Sequence, residues 1–358
     1  MKYFFITGEI SGDLHGAYLI NELKKHNKNI KVYGVGGKNM ENEGVEIIQD
    51  ISELAIMGFS EVIRKYLYLK KKANDYIEFI KKNNIKNIVL IDYGGFNLRF
   101  LEMIKREIKD IKVFYYIPPK LWVWGKKRIK KLVKSDHILV IFPWEVSFYK
   151  QYNIDVIYYG NPFIDKYKIE NKDELKHILL LPGSRDQEIK KIMPIYIDII
   201  KSEKDKNFII KFASEKDKKN YIKIIDKYSN VSICDDKLEA LSKKAKLAIA
   251  VSGTVTFELA LLEVPMVVVY KASIINEIIV KLFIKLKYVS LPNIAMDEMV
   301  FPELLQKKCN HKEILKSLDY IDKNYNFLIE KIKTMKKNMN NSDIMRKYSD
   351  FIVENSIK

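Results

Sequence analysis

The chain has 358 residues, 47% of them hydrophobic, enough for two packed domains of ordinary size. Its net charge of +17 comes from 57 Lys against only six Arg, with no RNP-like aromatic motif, zinc finger or basic recognition helix, which argues against a nucleic-acid partner. Two cysteines, Cys234 and Cys309, and five scattered histidines without ligand spacing exclude a disulfide framework and supply no metal site.

Residues 2–7 read as a strand. Their apolar run stops at Gly8-Glu9, short of a signal h-region, and no window holds about 18 uncharged apolar residues, so the expectation is a cytoplasmic protein. Gly8 to Gly16 is expected as a glycine-bearing loop, followed by a helix over Ala17–Lys25 and a strand over Lys31–Val35. This βαβ unit opens a doubly wound sheet, although its glycines lack the G-x-G-x-x-G dinucleotide spacing. Gly12 lets a ligand approach the backbone, and Glu9 and Asp13 face the crevice at the strand ends. A capping Asp and a turn Glu are the plainer alternatives.

Residues 54–72 gather Met57, Phe59, Val62 and Tyr66 on one greasy flank beside Arg64 and Lys65. Such a segment buries a core face, or lies on an anionic bilayer and holds acyl chains. Ile88–Ile91 is a buried strand that delivers Asp92 to its C-terminal end, where an acid points into the ligand crevice. After the strand Val113–Ile117, Trp122 and Trp124 sit in a loop next to Lys126, Lys127 and Arg128. Aromatics there suit sugar faces or acyl chains, or anchor the loop. A strand over His137–Phe142 follows, and Lys166–Lys176 is the linker candidate.

The second half repeats the alternation. Ile178–Leu181 is an apolar strand running through Pro182-Gly183-Ser184-Arg185 into a helix. That turn aims backbone N–H groups and a helix dipole at whatever lies above the strand, and Arg185 adds a planar charged fork suited to a diphosphate. Further strands are expected at Phe208–Ala213, Val231–Cys234, Leu247–Val251 and Pro265–Tyr270. After Leu247–Val251, Ser252-Gly253-Thr254 gives a second anion-friendly turn, with Glu258 placed to accept ribose hydroxyls or simply to complement the helix dipole. Ile274–Leu286 is amphipathic and interrupted by Glu277, Lys281 and Lys285, so it is core or membrane-facing. Ser290 to Ile294, with Asn293, is expected as a loop that closes on a ligand, and the segment from about 311 to 356 is helical and Lys-rich. The expected domains are 1–165, 166–310 and a helical block at 311–358.

Two doubly wound halves of this kind resemble GT-B glycosyltransferases. Gly8-Glu9-Ile10-Ser11-Gly12-Asp13, Gly34-Val35-Gly36-Gly37, Met57-Gly58 with Glu61-Val62, Asp92 with Phe96-Asn97-Leu98-Arg99, and Trp122-Val123-Trp124-Gly125 resemble, in order, the lipid-A-disaccharide synthase family. So do Leu181-Pro182-Gly183-Ser184-Arg185, Ser252-Gly253-Thr254 with Glu258, Ser290-Leu291-Pro292-Asn293 and Pro302-Glu303-Leu304-Leu305-Gln306. The resemblance implies an α/β fold of two Rossmann-like domains facing a cleft. It implies transfer of diacylglucosamine from its UDP donor to the 6-hydroxyl of diacylglucosamine 1-phosphate, with inversion. The second domain then holds UDP through Gly183, Ser184, Arg185, Ser252, Gly253, Thr254, Glu258 and Asn293, without a cofactor or metal; no Asp-x-Asp occurs in the chain. The base comes from Asp92, Glu9 or Asp13, with Asp92 favoured. Work on a lipid acceptor implies a peripheral place on the cytoplasmic face of the inner membrane, and leaves room for a homodimer. Two departures stand out: Gly94-Gly95 replace a Pro and often a second Asp, and Asn161 replaces a His. The competing readings are another UDP-sugar GT-B enzyme of envelope synthesis and a lipid- or nucleotide-binding module without chemistry.

Overall fold

The computed structural model describes residues 1–55, 62–123, 125–167, 175–271, 287–339 and 342–358. The chain divides into two units, Met1–Asp165 with Asn341–Lys358, and Lys166–Asn340.

The first unit contains strands β1 (Lys2–Ile6), β2 (Lys31–Gly36), β3 (Glu46–Asp50), β4 (Asn87–Ile91), β5 (Lys112–Tyr116), β6 (His137–Val140) and β7 (Ile157–Tyr158). They form one sheet in the order β3-β2-β1-β4-β5-β6-β7. Every pairing is parallel. Phe4, Ile88, Leu90, Val113 and Tyr115 are completely buried, as the continuous apolar runs of a sheet covered on both faces require. The second unit holds β8 (His177–Leu181), β9 (Asn207–Ile210), β10 (Val231–Ile233), β11 (Ala245–Val251), β12 (Met266–Tyr270) and β13 (Glu303–Leu305), in the order β10-β9-β8-β11-β12-β13. These pairings are parallel too. In each sheet the strand order reverses beside the first strand, between β1 and β4 and between β8 and β11. That is where an open α/β sheet leaves a crevice at the carboxyl ends of its strands.

Several expectations change. The first helix runs from Ile10 to His26, so the glycine-bearing stretch from Ser11 to Gly16 is helical and the loop is only Thr7 to Glu9. Gly12 is buried: a Cβ there would lie 2.0 Å from Thr7 Oγ1, so the glycine lets the helix pack against the end of β1. Edge strands β3, β7 and β13 escape the sequence pattern because runs of two to five residues with mixed polarity carry too little periodicity. Ser290 to Ile294 is no loop; Leu291–Met296 is a helix, with Pro292 tolerated in its first turn.

The block expected at 311–358 divides between the units. Helices His311–Lys323 and Tyr325–Asn338 belong to the second unit, whereas the helix Ile344–Glu354 returns to the first. The Tyr348 hydroxyl donates to the carbonyls of Val140 and Gly160, and its ring packs 5.4 Å from that of Tyr116. Asn87 and the Ile357 backbone exchange two hydrogen bonds at 2.8 and 2.9 Å. Among the described residues no helix is long and apolar enough to cross a membrane.

Candidate active site

At the first reversal, β4 ends in two consecutive residues with left-handed backbone, Asp92 (φ 44°) and Tyr93 (φ 45°). This costs on the order of 1–3 kcal/mol per non-glycine residue and persists only where the surroundings enforce it. They do so here. The Asp92 amide donates to Ile117 O at 2.9 Å, while its carbonyl accepts from the Tyr115 hydroxyl at 2.8 Å and from Asn97 Nδ2 at 3.1 Å. Asn97 is fully buried and also donates to the carbonyls of Ile6 and Ile91, tying the ends of β1 and β4 to one side chain. The Asp92 side chain is half-exposed at this point.

Glu9 is exposed at the N-terminus of the helix Ile10–His26 and contributes to raising the Tyr93 phenol, after burial. Asp13 has a different part. It is 1% exposed and accepts from Gly37 N at 2.7 Å, Met40 N at 3.2 Å, Asn39 N at 3.0 Å and Asn39 Nδ2 at 2.9 Å. Its carboxylate pins the end of β2 and the helix after it, which corrects its place among the candidate bases.

Trp122 is likewise not a bare aromatic platform. Its indole N–H donates to Glu145 Oε1 at 3.3 Å and its ring meets Trp144 edge to face. Glu145 is 3% exposed, accepts from the amides of Ile141 and Phe142, and is pushed up to about 7 by burial. The loop after β5 is therefore anchored from below through Trp122. Met57, Phe59 and Trp124 lie outside the described residues, as does Ile274–Leu286. Val62 and Tyr66 are described by backbone alone, within the helix Val62–Lys82.

At the second reversal, β8 runs through Gly183 (φ 100°) and Arg185 into the helix Asp186–Ser202. The positive φ is what demands glycine at 183. The Arg185 guanidinium is largely exposed, with Nη1 3.4 Å from Glu188 Oε1. Glu188, three residues on, folds back over the turn: a Cβ on Gly183 would stand 2.8 Å from its Oε2. Burial raises the Glu188 carboxyl above its ordinary value, while Arg185 and the amides of Arg185 and Ser184 pull it down. An internal carboxylate thus sits on the amides that suit an anion. Beside it β11 is followed by Ser252, whose amide donates to Val269 O, and Gly253-Thr254 open the helix Thr254–Leu261. Val251 comes within 3.4 Å of a Cβ on Gly183, so the two turns are neighbours.

Glu258 accepts a hydrogen bond from the Tyr167 hydroxyl, and burial raises its carboxyl. Asn293 is fully buried and spends its amide inside the unit. Its Oδ1 accepts from Val300 N and Phe301 N, and its Nδ2 donates to Phe301 O and Glu303 Oε1. This corrects the expected direct contact with UDP: Asn293 braces the start of β13. Glu188, Tyr167 and Tyr270, which is electrostatically coupled to Glu188 and Arg185 at the end of β12, stand beside the candidate residues and were not singled out by the motifs. Glu188 was detectable as the acid one helical turn after Arg185.

Two parallel Rossmann-like sheets, each with polar turns at the reversal of strand order, define a two-domain α/β protein of the GT-B fold. The family profile described as lipid-A-disaccharide synthetase matches residues 3–355. The chain is 34% identical over 337 residues to lipid-A-disaccharide synthase 2 of Legionella pneumophila, covering 87% of this chain and 86% of that protein. It is 32% identical over 378 residues to the lipid-A-disaccharide synthase of a Sulfurihydrogenibium species, covering 97% and 93%. The chain belongs to the lipid-A-disaccharide synthetase family. Among solved structures, the S. aureus MnaA–UDP co-structure aligns with a TM-score of 0.68 at 12% identity, over 99% of this chain and 96% of that one. MurG of Acinetobacter baumannii aligns at 0.60 and 14%, over 99% of each chain. At these identities the likeness speaks to the fold.

Proposed function

We propose that the chain transfers 2,3-diacylglucosamine from its UDP donor to the 6-hydroxyl of 2,3-diacylglucosamine 1-phosphate, giving the β-1,6 disaccharide 1-phosphate and UDP. The observation that carries this reading is the pair of reversal points. One offers Asp92 on a backbone held in place by buried bonds, and the other an exposed guanidinium over amides at Arg185. Asp92 removes the acceptor hydroxyl proton as the oxygen attacks the anomeric carbon from the face opposite the diphosphate, which inverts the centre. Negative charge then grows on the departing UDP. Arg185 and the amides of the 183–185 and 252–254 turns receive it, and Glu258 takes the ribose hydroxyls. This division of labour assigns the leaving group to protein donors with no metal. Two relatives in fold are described as bound to UDP or UDP-GlcNAc, which supports a nucleotide-sugar donor. The acceptor's acyl chains and the net charge of +17 favour a place on an anionic bilayer surface.

The test is UDP release from purified protein given both acylated substrates, with the product mass measured. The disaccharide 1-phosphate with stoichiometric UDP is expected. UDP binding without turnover identifies a binding module, and transfer from non-acylated UDP-GlcNAc alone identifies a different GT-B enzyme.

A further inference from the structure

Arg128 ends the short 3-10 turn Lys126–Arg128 and reaches back over the end of β4. A Cβ on Gly94 would lie 3.7 Å from its Nη1, and one on Gly125 2.6 Å from its Nε, so two glycine backbones lie against the guanidinium. Gly94 also admits Pro119 close behind: a Cβ there would be 2.4 Å from the proline Cγ, which is how the loop after β5 closes onto β4. Next to it, a Cβ on Gly95 meets nothing within 4 Å, so space opens beside this cluster. Burial draws the Arg128 guanidinium below the ordinary arginine value, while Tyr115 and Asp92 pull it back up. A guanidinium keeps its charge through such a shift, and with part of its water removed it binds an oxyanion more strongly than a surface lysine does. The chain has only six arginines, and Arg128 and Arg185 stand one at each reversal point.

The acceptor in the proposed reaction presents its 6-hydroxyl to Asp92 and carries its phosphate across the same pyranose ring. The cation for that phosphate must therefore lie close to the base, and the Arg128 guanidinium lies against Gly94, two residues from Asp92, and feels its charge. We propose that Arg128 binds the acceptor's anomeric phosphate monoester, so that it selects the phosphorylated acceptor and sets the 6-hydroxyl against Asp92. This rests on the function proposed above.

The experiment compares wild type, Arg128→Gln and Arg128→Lys in phospholipid-free detergent micelles, using diacylglucosamine with and without the 1-phosphate. Wild type is expected to prefer the phosphorylated acceptor, and Arg128→Gln to lower kcat/KM for it by about a hundredfold. The loss falls mainly on acceptor KM, the donor KM is unchanged, and the two acceptors become equivalent. Arg128→Lys keeps the charge without the fork and is expected in between. An equal fall for both acceptors makes Arg128 a positioning residue for Asp92 and overturns the proposal, as does an unchanged preference or a wild type that never discriminates. Circular dichroism and thermal unfolding, compared with wild type, check that each variant is folded, and an unchanged UDP affinity checks that the other unit is untouched. Wild type inert toward both acceptors sinks the proposed function itself, a separate outcome.

Discussion

The ends of β4 and β8 occupy equivalent positions in their sheets and are built in opposite ways. At β4 the polar group is fixed from within. Tyr115 and Asn97, both fully buried, hold the Asp92 backbone in a left-handed conformation it would not choose, and Glu145 anchors the neighbouring loop from below. At β8 the charged group stands in solvent and its nearest partner is a local acid, Glu188. The difference follows from what each has to do. A base must be placed closely before the acceptor arrives, so the backbone that carries it is held by buried bonds. A clamp on a diphosphate must open to admit the donor and again to release UDP, so its guanidinium is hydrated and its amides are held by an exchangeable anion.

The sharpest way to break this comparison is Asp92→Asn. The side chain is isosteric and the backbone bonds survive, so the expected loss is in the chemical step, about a thousandfold in kcat, with UDP affinity kept. A near-normal kcat moves the base to Glu9, the other candidate acid exposed at this reversal point. Arg185→Ala is next, with kcat down by about a hundredfold or more and weaker UDP binding. Wild-type turnover by that variant removes the clamp from the account. The two losses should differ in kind: only Arg185→Ala should change UDP affinity in a direct binding measurement.

Much of this architecture was legible in the sequence, and the gaps have physical causes. Buried parallel strands such as Ile88–Ile91 and Ile178–Leu181 announce themselves as apolar runs, and Asp92 and Arg185 follow at once, so strand ends and switch points could be placed. What stayed hidden depends on contacts between distant segments. Asp13 looks like a crevice acid until Gly37, Asn39 and Met40 are seen bonding it across 24 to 27 residues of sequence. Asn293 looks like a ligand contact until residues 300–303 consume its amide. The return of the helix Ile344–Glu354 to the first unit rests on Tyr348 and Asn87, neither of which has a pattern around it.

The internal anchoring of the first unit has a signature in stability. Glu145 titrates near 7 when folded against 4.5 as an ordinary carboxyl, burial being the cause. Below pH 4.5 both states are protonated and nothing is lost. Between 4.5 and 7 the folded protein keeps a proton that the unfolded chain releases, so stability falls as pH rises, by up to about 3 kcal/mol. Above 7 the cost is constant. Glu145→Gln keeps an acceptor for the Ile141 and Phe142 amides and cannot ionise. Urea unfolding of both proteins across pH 4.5 to 8 should therefore show the variant gaining on wild type as pH rises. Parallel curves would mean that Glu145 is ionised and hydrated, and that the loop is not held from within.

The smallest effect tests the other side of the comparison. Glu188 occupies the amides of Ser184 and Arg185 and draws the guanidinium of Arg185 toward itself, so an incoming diphosphate has to displace a carboxylate before it can bind. Glu188→Gln removes that competing charge while leaving an acceptor of the same shape on the turn. UDP should bind about tenfold more tightly, the size of one charge-assisted contact given up by the protein. Turnover need not rise with it, because a clamp that holds UDP harder also releases it more slowly. If UDP binding instead weakens in calorimetry, Glu188 aims Arg185 at the diphosphate and does not hold its place, and the turn at β8 is as preset as the one at β4.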